Sequence, residues 1–416
     1  MRSLLATIII SVALLTALPV GASPSADNST TRLAREGIDS LMRLEFDKAT
    51  RVFKRLGSTY PDYPLLGVLE ASVYWVKAEA SQGEETKPAW NEASVQLANA
   101  IKIATKGVKK YPNNYLWKLN LGMANFYAGR VEIERQNLFK AIRYARTGRD
   151  ILRDLIKERP NTEDAYFVLG VYEYLAGSVP RSLRWITYIL DIRGERDLGI
   201  QYLKRATAGA EVMAPEAARM LLVAAAIEPE YNQPCQYLPL ARDTRRNYPQ
   251  NPHYSIALQL ILANCGYPGE ALAENKRAFR VYIERFSGMT DALNLVKLQV
   301  YPAMGALDEI EKLAPVFENK NYHFWYLAKA QTYDVIGQRK KARYMYREIE
   351  SAGDNPDEST TFSEPPPDLV YDKAMLYLKQ PYRRIEPVKV NKKTALSLNI
   401  PGKKSTRSAG SKLSDR

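Results

Sequence analysis

Side chains that could carry metal or nucleophilic chemistry are few in this sequence, which has two histidines and two cysteines among 416 residues. His253 and His323 are far apart, and neither has a cluster of Cys, His or Asp at ligand spacing beside it. A metal site in a protein needs three or four ligands. Glycine-rich phosphate loops, G-x-S-x-G elbows and H-E-x-x-H motifs are also absent from the sequence. We therefore expect no metal, no cofactor and no enzymatic activity.

The two cysteines are more informative as a pair. The pattern predicts a helix that starts near Cys235 and runs to about Asn247, a turn at 248–252, and a second helix that ends at Cys265. Antiparallel helices place those two ends side by side, and cysteines of exported proteins are usually paired. We predict a disulfide between Cys235 and Cys265, with two buried free thiols as the alternative.

The elements that position these residues are predicted to be helices. Apolar residues follow a helical period almost everywhere, and alternation long enough for a strand is missing. Pairs such as Tyr60-Pro61 and Tyr111-Pro112 interrupt the period. Because a residue before proline is pushed out of the α region, each pair marks a helix end. The sequence predicts an all-α body over residues 27–354.

Small residues recur at fixed spacings within this body. A small residue midway along a first helix lets a second helix approach closely, an aromatic residue fills the gap, and proline closes the unit. Gly37, for example, is followed by Phe53 and Pro61 at such offsets. The match to this pattern is specific at 34–61 and 324–350, fair at 253–283, and partial at 113–129 and 164–177.

These offsets resemble the tetratricopeptide repeat, a helix–turn–helix unit of 34 residues. The resemblance implies a right-handed superhelical solenoid of antiparallel helix pairs. Residues 169–206, under a tenth of the chain, also resemble part of the inclusion-body-clearance proteins, a eukaryotic tetratricopeptide family linked to lipid droplets and mitochondrial outer membranes.

In a tetratricopeptide solenoid the first helix of each unit lines a concave groove, and residues just after the small packing residue point into it. Transferred by spacing, this assigns seven groove residues: Met123, Phe126, Phe167, Val171, Tyr174, Gln331 and Asp334. The N-terminal half of the groove would be apolar and aromatic, and the C-terminal half polar. The alternative is that the aromatic residues are core, because the displaced second helices at 130–158 and 178–196 could fold across the groove and fill it.

The N-terminus has the pattern of an export signal. Arg2 precedes an apolar run at 4–18, Pro19 breaks the helix, and residues 20–22 are small enough for cleavage. A membrane anchor is the alternative, but a spanning helix needs about 20 apolar residues. We expect residues 1–22 to be a cleaved signal peptide, and the mature chain to be periplasmic or secreted without a transmembrane span.

The C-terminus is predicted to be a Pro- and Ser-rich linker at 355–368, a short helix at 369–380, and a disordered basic tail at 381–416. The tail holds ten basic residues against Glu386 and Asp415, so it carries +8 of the formal charge of +13. Its basic residues are Arg383, Arg384, Lys389, Lys392, Lys393, Lys403, Lys404, Arg407, Lys412 and Arg416. We expect this polycation to gather the protein on an anionic envelope surface. A merely solubilising tail is the alternative.

Two functional hypotheses follow from these features. The first is an extracytoplasmic scaffold that binds a protein partner in its concave groove, most naturally in a Gram-negative periplasm. The second is an accessory protein of an envelope polymer or lipid pathway, held at an anionic surface by the tail. Nucleic acid is not an expected partner, because the body at 27–380 carries only +4 once the tail and Arg2 are discounted.

Overall fold

The computed structural model describes residues 28–80, 86–178, 194–227, 233–286, 289–317, 322–352 and 367–388. Within these ranges the chain is α-helical and contains no strand. The helices of the first half are α1 (Asn28–Met42), α2 (Phe46–Thr59), α3 (Leu66–Ala80), α4 (Thr86–Lys110), α5 (Tyr115–Glu134), α6 (Leu138–Glu158), α7 (Glu163–Gly177), α8 (Arg196–Gly209) and α9 (Ala214–Ile227).

A short 3-10 helix (Pro234–Tyr237) opens the second half. It is followed by α10 (Leu238–Asn247), α11 (Pro252–Asn264), α12 (Pro268–Tyr282), α13 (Met289–Met304), α14 (Leu307–Glu311), α15 (Ala314–Phe317), α16 (Tyr322–Val335), α17 (Arg339–Ala352) and α18 (Pro367–Lys379). The last of these lies where the short C-terminal helix was predicted. No helix of the described ranges is both long and apolar enough to cross a membrane.

Consecutive helices pack as pairs, and short turns join α1 to α2, α5 to α6, α11 to α12 and α16 to α17. The pairs α1–α2, α3–α4, α5–α6, α7–α8, α11–α12 and α16–α17 each form extensive contacts. The turns follow local chemistry: Gln136 takes a left-handed conformation between α5 and α6, and Asn251 caps α11 by accepting the His253 N–H at 3.1 Å. This pairing agrees with a helical repeat fold.

Inner and outer helices differ in sequence: an outer helix has one apolar stripe, whereas an inner helix is apolar on most of its sides. The outer helix α2 buries one stripe, which comprises Ala49, Val52, Phe53 and Leu56. In contrast, nearly every residue of α9 is buried, and long buried runs also fill α5 and α7. Helices that are apolar on most sides must be covered on most sides, so they form the interior layer.

Five inner helices close into a ring. Contacts run from α1 to α3, α5, α7 and α9 in turn, and α9 contacts α1 again. Two hydrogen bonds between residues about 200 positions apart join the start of the chain to its middle: Tyr248 Oη donates to Asp39 at 2.7 Å, and Asn251 Nδ2 donates to the Met42 carbonyl at 3.0 Å. The sequence predicts an open groove along these helices, but they bury their apolar faces against one another instead.

Candidate functional site

The N-terminal residues predicted to line the groove lie in the interior of the ring. All five are buried, with exposed fractions between 0 and 9%: Met123, Phe126, Phe167, Val171 and Tyr174. They belong to α5 and α7, which are inner helices. None of them is available on the surface to a partner, which agrees with the alternative that these residues are core.

These residues are not buried in the way that alternative proposes, by second helices that fold across the groove. α6 does not fold across a groove but pairs directly with α5 at a close helix crossing. A Cβ atom at Gly148 would lie only 2.7 Å from the Gly122 carbonyl oxygen, so both backbones approach where neither residue has a side chain. Most of the other proposed insertion, residues 179–193, lies outside the described residues. Ring closure by α9 and α1 covers what would have been the groove.

The C-terminal half does contain a cavity, and the predicted groove residue Gln331 lines it. Its volume is about 540 Å³, and it lies between the ends or faces of α11, α13, α16 and α18. Leu298, Phe324 and Leu327 supply apolar wall, and the segment after α18 closes one side. This volume is typical of a pocket that binds a ligand or a few side chains.

The other predicted residue of this half, Asp334, does not line the cavity. Its side chain has no exposed surface, and Arg339 Nη1 donates to both carboxylate oxygens at 2.9 Å. The Tyr346 hydroxyl also donates to it at 3.0 Å, and the Tyr382 backbone N–H donates at 2.8 Å. Asp334 is therefore a structural anchor, which fixes the chain after α18 to the end of α16.

Residues 381–388, which we name the C-terminal strap, have no regular secondary structure and contact the ends of α16, α13 and α11. After the Tyr382 bond at α16, Arg384 Nη2 donates to the Met304 carbonyl at the end of α13, at 3.2 Å. The Val388 N–H then donates to the Cys265 carbonyl at the end of α11, at 3.1 Å. The last carbonyls of a helix lack partners within the helix and carry partial negative charge, so they accept such donors well.

The strap corrects the predicted start of the disordered tail. The sequence places that start at 381, but Arg383 and Arg384 belong to a segment that is hydrogen-bonded to the helices through residue 388. The reason is that backbone and side-chain donors of the segment meet helix ends, and that Tyr382 packs against the core with its ring centroid 5.3 Å from that of Tyr377. The remaining basic residues, from Lys389 to Arg416, lie outside the described residues.

The two cysteines lie within disulfide-bonding distance beside the cavity, with Cα atoms 5.4 Å apart. Cys235 belongs to the 3-10 helix before α10, so the regular helix begins three residues later than the sequence predicts. Cys265 is the C-cap of α11. Their neighbours Pro234 and Asn264 line the cavity, so the pair fixes one wall of it.

The described residues that line the cavity are basic and neutral polar as well as apolar. They include two cations, Lys373 and Arg383, and four amides, Asn264, Gln299, Gln331 and Gln380. Within the described part of the chain, none of the lining residues is an Asp or Glu, nor a Ser, Cys or His, the types that most often act as nucleophile or base. The arrangement can bind a group that is partly apolar and partly anionic.

A second polar cluster lies where α3, α9 and α11 meet. Arg219 is buried and donates to both carboxylate oxygens of Glu216, with Glu79 Oε1 3.7 Å from its other nitrogen. Burial alone would lower the pKa of Arg219, but the carboxylates of Glu216 and Glu79 raise it. Burial lowers the pKa of His253 in the same cluster. Sequence reasoning missed this cluster, although an acid and a base three residues apart in the apolar helix α9 were a usable signal.

The buried carboxylate of Asp164 joins α7 to the loop before α9, and so helps to close the ring. Asp164 accepts the backbone N–H groups of Glu211, Val212 and Met213 at 3.1, 3.0 and 2.7 Å. Arg35 of α1 donates to the Ala210 carbonyl of the same loop at 3.3 Å. Burial raises the pKa of Asp164, and the three backbone donors oppose that rise. No local sequence pattern marks Asp164, because its three partners lie nearly 50 residues further along the chain.

Over the described ranges, no group of three or more His, Cys, Asp or Glu residues is placed to hold a metal ion. No protein-family model matches the chain, and no curated protein matches it significantly.

Proposed function

We propose that the protein is a non-enzymatic, extracytoplasmic scaffold of the tetratricopeptide-like class, whose C-terminal half binds an extended segment of a protein partner. Export by a cleaved signal peptide to the periplasm or outside the cell, and a right-handed superhelical sense of the helix pairs, are parts of this proposal. The paired position of Cys235 and Cys265 supports an oxidising compartment. We propose no cofactor and no nucleic-acid partner.

The observation that carries the proposal is the cavity of about 540 Å³ beneath the strap. The strap forms one side of this cavity, and its backbone N–H groups at 382 and 388 donate to the Asp334 carboxylate and the Cys265 carbonyl, which lie outside the cavity lining. The apolar walls beside the strap suit a partner segment anchored by one large side chain.

The charge of the lining narrows the partner further. Lys373 and Arg383 are the charged side chains of the described lining, so an acidic residue beside the apolar anchor would be attracted and a basic one repelled. We propose a partner segment that combines one large apolar residue with at least one Asp or Glu.

Two substitutions test this function. Gln331→Arg places a long side chain inside the cavity, and Arg383→Glu reverses a charge at its edge. The matched control is Arg343→Glu, which makes the same charge change at an exposed position of α17. Tagged proteins are used to capture partners from envelope extract after lipid and glycan removal, and the captured proteins are identified by mass spectrometry.

The proposal expects one protein that is captured by the wild type and by Arg343→Glu and is reduced at least about fivefold by both cavity variants. If all four proteins capture the same partner equally, the cavity is not the binding site.

The alternative function is an accessory role in an envelope polymer or lipid pathway, in which the basic tail touches an anionic surface. The charge concentrated at the end of the chain supports it. The test is flotation with vesicles of anionic phospholipid, comparing the full chain with a chain ending at Val388, since the strap is part of the folded body. Binding that is salt-sensitive and lost on truncation supports the tail, whereas equal flotation of both chains rejects it.

A further inference from the structure

Three large apolar side chains protrude where α5 turns into α6. Phe139 is 83% exposed, Leu138 is 54% exposed, and Ile133 is 52% exposed. The left-handed residue Gln136 makes the turn between them. We name Ile133, Leu138 and Phe139 the apolar tip. A phenylalanine exposed to this degree contributes little to the core, so its type calls for another explanation.

The charges around the apolar tip are mainly positive. Its two acidic neighbours are already paired: Glu134 with Arg130 at 2.6 Å, and the buried Glu132 with Arg135. The first turns of α6 then add Lys140 and Arg143, both exposed, without an acidic residue until Asp150. Exposed apolar side chains bordered by Lys and Arg form the pattern of a surface that lies at a membrane interface.

We propose that the apolar tip inserts into the surface of an anionic phospholipid bilayer, with Lys140 and Arg143 contacting lipid phosphates. A protein partner fits less well. A stable protein interface buries roughly 800 Å² on each partner, and three side chains at one turn offer far less surface area than that. A bilayer needs no complementary shape: Phe and Leu enter the acyl boundary, while the long basic side chains extend to the headgroups. This site is independent of the cavity and of the basic tail.

Vesicle co-sedimentation of the full chain tests the proposal, using phosphatidylcholine vesicles with and without one-third phosphatidylglycerol. The test variant is Leu138→Ser with Phe139→Ser. The control is Ile103→Ser, which removes an aliphatic side chain of 50% exposure from α4, where Lys102 and Lys106 are its basic neighbours. Both changes are at exposed positions, so the variants are expected to fold.

The double variant is expected to bind phosphatidylglycerol vesicles at least about tenfold more weakly than the wild type, because most of the transfer of two large apolar side chains is lost. Ile103→Ser should bind like the wild type, and Lys140→Glu with Arg143→Glu should weaken binding most at low salt. The same tip dependence should persist in a chain that ends at Val388, which separates the tip from the tail.

Equal binding of the double variant and the wild type, in either chain length, would overturn the proposal, as would an equal loss from Ile103→Ser. A tip that captures a protein and leaves vesicle binding unchanged would overturn it as well. Partner capture through the cavity should not change in the tip variants, so failure of one proposal does not imply failure of the other.

Discussion

Removing the Asp164 carboxylate should open the ring at the loop before α9. Of the three backbone N–H groups that Asp164 accepts, those of Val212 and Met213 belong to buried residues, whereas Glu211 is exposed and its N–H can turn to water. Asp164→Ala therefore leaves two buried donors without acceptors.

A buried donor without an acceptor costs about 1–3 kcal/mol. Two such donors cost about 2–6 kcal/mol. The variant also no longer buries the charged carboxylate, which offsets part of this cost. We expect Asp164→Ala to lower the free energy of unfolding by about 3 kcal/mol. Asp164→Asn keeps one acceptor oxygen without the buried charge, so we expect a loss of about 1–2 kcal/mol. The control is Asp154→Ala, whose carboxylate is 69% exposed and paired only with the exposed Lys157, and it should change stability by less than about 0.5 kcal/mol.

Urea unfolding followed by circular dichroism measures these differences, and hydrogen exchange locates them. Because Arg35 of α1 bonds the same loop through Ala210, exchange in Asp164→Ala should rise both at residues 211–213 and in α1. If Asp164→Ala is as stable as Asp154→Ala, or if exchange rises at the loop and not in α1, the described ring closure is wrong.

Four further outcomes follow from the packing. Phe167→Ala should lower the free energy of unfolding by about 3–5 kcal/mol in a denaturant titration, since the side chain is buried in the ring; a loss below about 1 kcal/mol contradicts that burial. Burial lowers the pKa of His253 from its ordinary value of 6.5. As the pH falls through that value, His253 therefore binds a proton in the unfolded chain before it does in the folded chain. Melting curves from pH 7.5 to 5.5 should show stability falling by at most about 1.4 kcal/mol per pH unit, and less steeply in His253→Asn; parallel curves exclude this contribution. Reducing a bond between Cys235 and Cys265, separated by 30 residues, should cost about 3–4 kcal/mol in the chain-entropy model, measured by melting with and without reductant; no change indicates free thiols. Gly266→Ala should make the strap more susceptible to proteolysis, because Gly266 has a φ of +82° and a Cβ there would lie 2.6 Å from the strap backbone. An unchanged rate of cleavage would contradict this contact.

The sequence predicted the helices and their pairing well because both depend on local signals. The repeat spacings at 34–61 and 324–350 fall on the pairs α1–α2 and α16–α17. The helix period and proline punctuation define such units without reference to the rest of the chain. The closeness of Cys235 and Cys265 was predicted from the same local reasoning.

Ring closure could not be predicted in this way. It depends on pairs such as Asp39 with Tyr248, and no local pattern links residues so far apart in sequence. Spacing alone placed Phe126 and Tyr174 on inner helices, α5 and α7. Whether the faces that carry these residues are open to solvent or covered depends on how α9 and α1 close the ring. The strap was missed for a related reason: its composition is typical of disorder, whereas its order comes from helix ends contributed by three separate units.

If a partner segment binds in the cavity under the strap, site-specific photo-cross-linking should capture it there. A benzophenone amino acid is placed at Gln331, which lines the cavity, and in separate proteins at Phe126 inside the ring and at the exposed Arg343 of α17. Irradiation in envelope extract is followed by mass spectrometry of the cross-linked peptides. We expect an adduct at position 331 to one protein, through a segment with a large apolar and an acidic residue, and no such adduct at 126 or 343. The same partner cross-linked at 343 and not at 331 would contradict it.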